Sequence, residues 1–205
     1  MYKLILFDFD GTIGNTIEFG IPIYNELAKK YNFLEIKDIS ELSNYSVNDF
    51  IKMHKINRIK LPFYFKKLLL KLKKDMQNVK IYPGMKEVIK KLNKKYKLGI
   101  VSANRKENIE LFLKKNGLEY CFDFVENYSL FFGKARKLKK LIKEKKLRKN
   151  EVIYIGDEVR DIEECKKAGI EIMSVTWGFH KKSTLEKKKP KYLINETNQI
   201  LKILK

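Results

Sequence analysis

The sequence predicts an α/β fold: a Rossmann-like open parallel sheet with helices on both faces, plus an inserted α-helical subdomain. Three observations predict it. Short apolar runs of strand length recur along the chain, helical patterns separate them in steady alternation, and one long early segment breaks that rhythm. Strands without polar alternation suit a sheet buried on both faces, and strand–helix–strand repetition implies right-handed crossovers between parallel strands.

The first run is KLILF at residues 3 to 7. From about Thr16 to Lys80 no convincing buried strand occurs, and apolar residues fall at helical spacing instead. Phe19, Ile23, Leu27 and Tyr31 make one stripe, and Phe65, Leu68, Leu69 and Leu72 another. These predict a helical insertion over 16–80, with 1–15 and 81–205 as the α/β core. Met85 to Lys94 then reads as a helix after Tyr82-Pro83-Gly84, followed by a strand at Leu98 to Val101. A helix over Lys106 to Lys115 stops at Asn116-Gly117 and precedes a strand at Phe122 to Val125. Ala135 to Lys146 leads to Val152 to Ile155, and Asp161 to Ala168, stopped by Gly169, leads to Ile170 to Val175. Glycine just past the last periodic residue is a helix stop. Tyr192 to Ile194 is the last strand, and Lys187-Lys188-Lys189-Pro190 reads as a short solvated loop.

Composition narrows the function classes. A chain of 205 residues that is 44% hydrophobic, with 13 Phe and 11 Tyr, can fill a core, which excludes disorder and collagen-like classes. Lys+Arg 45 against Asp+Glu 25 leaves +20, a balance that suits nucleic acid, an anionic membrane or a phosphorylated substrate. However, 40 of those cations are lysine and accompany 23 isoleucines and 15 asparagines, the usage of an AT-rich genome, so the charge says little about partners. Cys121 and Cys165 form no CxxC or Cys/His spacing, which excludes a disulfide framework and a structural zinc site. No apolar run approaches a membrane span, and the N-terminal run is too short for a signal-peptide core. The expected location is the cytoplasm.

Two acidic clusters follow buried strands. Asp8-Phe9-Asp10-Gly11-Thr12 follows the first, and Gly156-Asp157-Glu158-Val159-Arg160-Asp161 follows the strand at Val152 to Ile155. Ligands bind at the carboxyl ends of strands in open α/β sheets. Acids meeting there repel unless a hard cation lies between them, and oxygen ligands with room for water favour Mg²⁺. Ser102-Ala103-Asn104 and Lys134 sit at two further strand ends. A hydroxyl, an amide and an ammonium facing a metal-bound carboxylate pair form an oxyanion pocket of phosphate type.

In these residues the chain resembles the haloacid dehalogenase-like superfamily of phosphohydrolases. DFDGT at 8 to 12, Ser102, Lys134 and GDEVRD at 156 to 161 occur in that family's order, and AG at 168 to 169 and VTWGF at 175 to 179 add matches to its phosphoglycolate-phosphatase-like branch. The resemblance implies Asp8 as a nucleophile that takes the phosphoryl group, and Asp10 as the acid and base serving leaving oxygen and water. It implies Mg²⁺ held by Asp8, Asp157 and the backbone carbonyl of Asp10, with Asp161 supporting the metal shell or Lys134. Ser102, Asn104 and Lys134 would bind the phosphoryl oxygens, and the helical insertion would be a cap over a small phosphorylated metabolite. Three departures bear on these roles: Ala135 follows Lys134 where many relatives carry proline, so Lys137 could compete for the role, although Gly133-Lys134 fits better; Asn15-Thr16 replaces the common Asp-Ser; and Glu158 could displace Asp161.

Other readings stand beside these. Ser102 and Asn104 could cap the helix that starts at Lys106. His54 and His180 read as ordinary surface or interface residues, and Trp177 as packing over the site or as structural. The basic run 134–149 carries Leu138, Leu141 and Ile142 at helical spacing, the pattern of a solvated amphipathic helix. A phosphomutase would need the same motifs, whereas a dehalogenase has no use for Asp10, and a phosphoacceptor signalling domain is disfavoured by an acid placed to hydrolyse its intermediate. A basic nucleic-acid-binding protein is the rival from another class; its lysines should cluster, and here they are spread along every segment. No specific nucleic acid and no membrane partner are expected, and the oligomeric expectation is a monomer or weak dimer. Cations such as Arg58 and Lys60 in the insertion hint at a further anionic group on the substrate, and Gly14 and Pro83-Gly84 at its junctions suit hinges.

Overall fold

The computed structural model describes residues 1–38, 47–128 and 133–204, and the chain divides into two compact units. One comprises Met1–Asn15 with Lys80–Lys205, the other Thr16–Val79.

In the first unit six parallel strands form one sheet: β1 Leu4–Phe7, β2 Lys97–Ser102, β3 Phe124–Asn127, β4 Val152–Gly156, β5 Glu171–Val175 and β6 Tyr192–Ile194. Their order is β3-β2-β1-β4-β5-β6. The apolar runs occupy the centre because each is wholly buried: all four residues of β1 and all five of β4 are covered. Register then aligns their carboxyl ends, since Phe7 lies opposite both Ile100 and Ile155. Asp8 and Asp157 directly follow β1 and β4, and Ser102 ends β2, so all three lie at the carboxyl ends of the strands.

Helices cover both faces. α4 Met85–Leu92 and α5 Lys106–Asn116 follow the helical unit, and α6 Lys134–Glu144 and α7 Val159–Ala168 flank β4. Leu138, Leu141 and Ile142 of α6 and Ile162, Cys165 and Ala168 of α7 pack with Leu4, Leu6, Val152 and Tyr154 into one core. On the opposite pleat Phe7 meets Phe122, and Phe9 meets Phe112 of α5 edge to face at 4.9 Å. Two short helices were not expected: α8 Lys182–Lys187 falls partly on the supposed solvated loop, and α9 Asn198–Ile203 follows the last strand. Each buries one side chain, Leu185 and Ile200 respectively, too little for a periodic signal. β3 lies two residues later than its apolar run, because Phe124 rather than Phe122 pairs with Gly99. Gly99 is required there, since a Cβ would come within 2.3 Å of the Phe124 ring.

The second unit holds α1 Thr16–Tyr31, α2 Val47–Met53 and α3 Leu61–Asp75, with a 3₁₀ turn at Arg58–Lys60. Ile23 and Leu27 of the first stripe are buried, Phe19 and Tyr31 half-buried. Of the second stripe Leu68 is half-buried, while the side chains of Phe65, Leu69 and Leu72 lie outside those described. Tyr24, Phe33, Phe50 and His54 form an aromatic cluster. His54 is therefore no surface residue: it is 3% exposed, stacked on Phe50, with Nδ1 2.8 Å from the Leu34 carbonyl. Among the described residues no helix is long and apolar enough to cross a membrane.

Candidate active site

The loop after β1 turns at once, because the amides of Thr12, Ile13 and Gly14 all converge on the Phe9 carbonyl. Gly11 has φ +74°, and a Cβ there would lie 2.2 Å from Asp157 Oδ2, so only glycine lets this loop approach the acid from β4. Gly178 closes the opposite side under the same constraint, its absent Cβ 2.3 Å from Asp157 Oδ2. The loop ends where Asn15 N donates to Lys80 O and Tyr82 N to Ile13 O, so the outgoing and returning chains run side by side.

Asp8, Asp157 and Asp161 are buried together, each offering a carboxylate oxygen within 4.8 Å of the others. Lys134 joins them from the first residue of α6. Its ammonium is 1% exposed and donates to Asp8 Oδ2 at 2.6 Å, to Asp161 Oδ1, and to the Tyr154 hydroxyl at 2.7 Å. Burial works to lower the Lys134 pKa, but the Asp161 and Asp8 charges overcome it and hold the ammonium well above its ordinary range. Tyr154 passes its own hydrogen to the Val101 carbonyl at 2.8 Å. Burial drives its phenol well above the usual value.

One ammonium serves a cluster of three carboxylates and contacts two of them, Asp8 and Asp161. Burial pushes Asp157 well above the ordinary carboxylate range, and the Asp161 and Asp8 charges add to that push. Thr12 Oγ1 and the Phe179 amide each donate to Asp157 at 2.7 Å, which orients the group without neutralising it. An all-oxygen set with surplus negative charge fits a hard divalent cation. Asp161 is held by its place in α7, where it accepts from the Glu158 amide at 3.1 Å as part of a capping box. Glu158 turns instead to Arg160 at 3.3 Å, and burial with the Asp161 charge pushes it up to about 7.

Asp10 faces a different set of groups. Asn104 Nδ2 donates to its Oδ1 at 2.9 Å and Ser102 Oγ to its Oδ2 at 3.3 Å. Its carboxylate is not among the three clustered acids. Ser102 and Asn104 are not the cap of α5, since Arg105 occupies the N-cap position; Asn104 Oδ1 does accept the Arg105 amide at 2.8 Å. Lys137 points away to Glu126, so Lys134 alone of the two competing lysines meets the carboxylates. Trp177 Nε1 donates to the Thr12 carbonyl at 3.2 Å, and the half-buried His180 ring accepts the Val159 amide at 3.3 Å.

Sequence reading missed three contributors. Thr12 sits inside a quoted motif, but its hydroxyl role depends on Asp157, 145 residues away. Tyr154 is hidden in an apolar strand, where the one polar atom in VIYIG was the available signal. Glu164 reads as a solvated helix residue, yet its Oε2 accepts the Ala135 amide at 2.8 Å and anchors the start of α6 beside Lys134.

A family model described as haloacid dehalogenase-like hydrolase matches residues 5–175. The chain is 27% identical over 206 residues to a phosphoglycolate phosphatase of Synechococcus elongatus, covering 97% of this chain and 95% of that protein. It is 25% identical to the pyrophosphatase PpaX of Bacillus mycoides, with 98% and 95% covered. A haloacid dehalogenase-like hydrolase from Streptococcus pneumoniae superposes with a TM-score of 0.87 at 18% identity, over 100% of this chain and 99% of that one, which shows the shared fold.

Proposed function

Because this chain belongs to the haloacid dehalogenase-like hydrolase family, we propose that it is a Mg²⁺-dependent phosphatase that hydrolyses a small phosphorylated metabolite through an aspartyl phosphate on Asp8. The observation that carries the reading is the buried set Asp8, Asp157, Asp161 and Lys134, with Asp10 beside it on separate partners.

Asp8 is the nucleophile. A carboxylate approaching a phosphate dianion is repelled by it, and a Mg²⁺ held by Asp8, Asp157 and Asp161, with the Asp10 backbone carbonyl, would neutralise that repulsion. Lys134 balances Asp8 and Asp161 in the resting site and meets developing charge on the phosphoryl oxygens, with Ser102 as the second donor. Asp10 carries a proton to the leaving oxygen as its bond to phosphorus breaks, then takes one from the water that attacks the Asp8 phosphoryl group. Asn104, expected beside the phosphate, is assigned to Asp10. The core groups address only the phosphoryl end of a substrate, so we assign discrimination among leaving groups to the helical unit Thr16–Val79 as a cap.

The relatives' names supply the first compounds to try, phosphoglycolate and pyrophosphate. The test is phosphate release from these and a wider panel of phosphorylated metabolites, with Mg²⁺ and with excess EDTA. Release that requires Mg²⁺, and that Ca²⁺ inhibits because the larger ion distorts a tight octahedral site, is expected. Full activity in EDTA contradicts the metal assignment, and no release from any monoester contradicts the phosphatase reading.

A further inference from the structure

We propose that Asn108, on the buried face of α5, is a positioning residue that sets the working orientation of Asp10 through Asn104. The inference rests on the acid and base roles assigned to Asp10 above.

Asn108 is 7% exposed, beside Ile109 and Phe112, where packing alone would favour an apolar side chain. Among the described residues its Oδ1 is buried with no hydrogen-bond partner, a cost that leucine would remove. What its amide does is donate from Nδ2 to Asn104 Oδ1 at 3.1 Å. The Arg105 amide donates to the same oxygen at 2.8 Å. Both acceptor positions of Asn104 Oδ1 are thereby used, and the Asn104 side chain has one orientation left, with Nδ2 toward Asp10 Oδ1 at 2.9 Å.

This has a chemical consequence. The Asn104 NH2 can only donate, which makes Oδ1 a poor site for the acid proton, whereas the Ser102 hydroxyl at Oδ2 can rotate to accept, so the proton of Asp10 belongs on Oδ2. Were the Asn104 amide reversed, its oxygen would face Asp10 Oδ1 and favour a proton there, on the wrong atom. When Ser102 turns to a phosphoryl oxygen it releases Oδ2, while the Asn104 contact to Oδ1 persists. As the Asp8 oxygen bonds to phosphorus and the ester bond breaks, the Oδ2 proton passes to the departing oxygen.

The test exploits the leaving group. An alkoxide needs that proton, whereas p-nitrophenolate leaves nearly unaided, so loss of acid catalysis falls on alkyl esters. Asn108→Leu keeps the volume and removes the donor; Asn108→Asp keeps the shape and favours the reversed Asn104 amide. Comparing kcat/KM for 2-phosphoglycolate and p-nitrophenyl phosphate, either variant is expected to lose about tenfold or more on the alkyl ester and less than about twofold on the aryl ester. Asp10→Asn, run in parallel, is expected to show the same asymmetry more strongly. If it does and both folded Asn108 variants slow the two esters equally, Asn108 is structural and the inference is overturned alone. If Asp10→Asn itself slows both equally, the acid role of Asp10 fails and the inference falls with it.

Discussion

At the scale of single residues, the site is governed by one buried cation set among carboxylates. Lys134 spends its hydrogens on Asp8, Asp161 and Tyr154, and none of the four is more than a few per cent exposed. Replacing it with methionine would leave two buried carboxylates without their common counter-charge. Lys134→Met is expected to lower stability by about 3 to 5 kcal/mol and to depress turnover of all substrates alike, read by denaturant unfolding in EDTA and by phosphate release. An unchanged unfolding midpoint would show that the buried ion pairs contribute nothing. The placement of Asp8, Asp10 and Asp157 at strand ends was legible in the sequence because each follows a buried apolar run, although a lone acid pair there reads equally well as a solvated turn or helix cap and only the four motifs in order singled these acids out. Lys134 was legible by position alone among 40 lysines, and Tyr154 was not, since burial of a phenol shows only once β2 and β4 flank β1.

Secondary-structure elements carry those residues to the carboxyl ends of the strands, and their own anchors are local. The 3₁₀ turn Lys149–Glu151 precedes β4, and Glu151 at its end accepts from Lys3 at 2.7 Å and from the Arg148 amide at 2.8 Å. These contacts, Lys3 first and then Arg148, lower the Glu151 pKa to about 2. A folded-state value below the ordinary 4.3 or so means stability that is complete above about pH 5 and is lost as pH falls toward 2. Glu151→Gln should therefore lower Tm at neutral pH, and the gap from the wild type should narrow as pH falls from about 5 to 2. A gap that stays constant with pH would show that the contact acts through shape, not charge. Long strands and periodic helices were legible from the sequence, whereas α8 and α9, with one buried side chain each, and the exact start of β3 were not. Their positions depend on packing partners far along the chain.

At the scale of the whole molecule, 45 cations outnumber 25 acids, and surface acids pair with some of these cations, as in Lys188–Glu163 and Lys140–Glu144, each about half exposed. Such pairs contribute about 0 to 1 kcal/mol and are screened by salt, so the charge says little about the chemistry. The proposed function assigns the chemistry to the small buried set at the carboxyl ends of the strands, and its central claim is that Asp8 carries the phosphoryl group. The most direct measurement is to mix the intact protein with Mg²⁺ and its best phosphomonoester, quench in acid within one turnover, and map phosphoryl adducts by peptide mass spectrometry. The account predicts an adduct on the peptide bearing Asp8 in the wild type, more of it when Asp10→Asn slows hydrolysis, and none in Asp8→Asn. Phosphate release by the wild type with no adduct in either background, or undiminished turnover by Asp8→Asn, would contradict it.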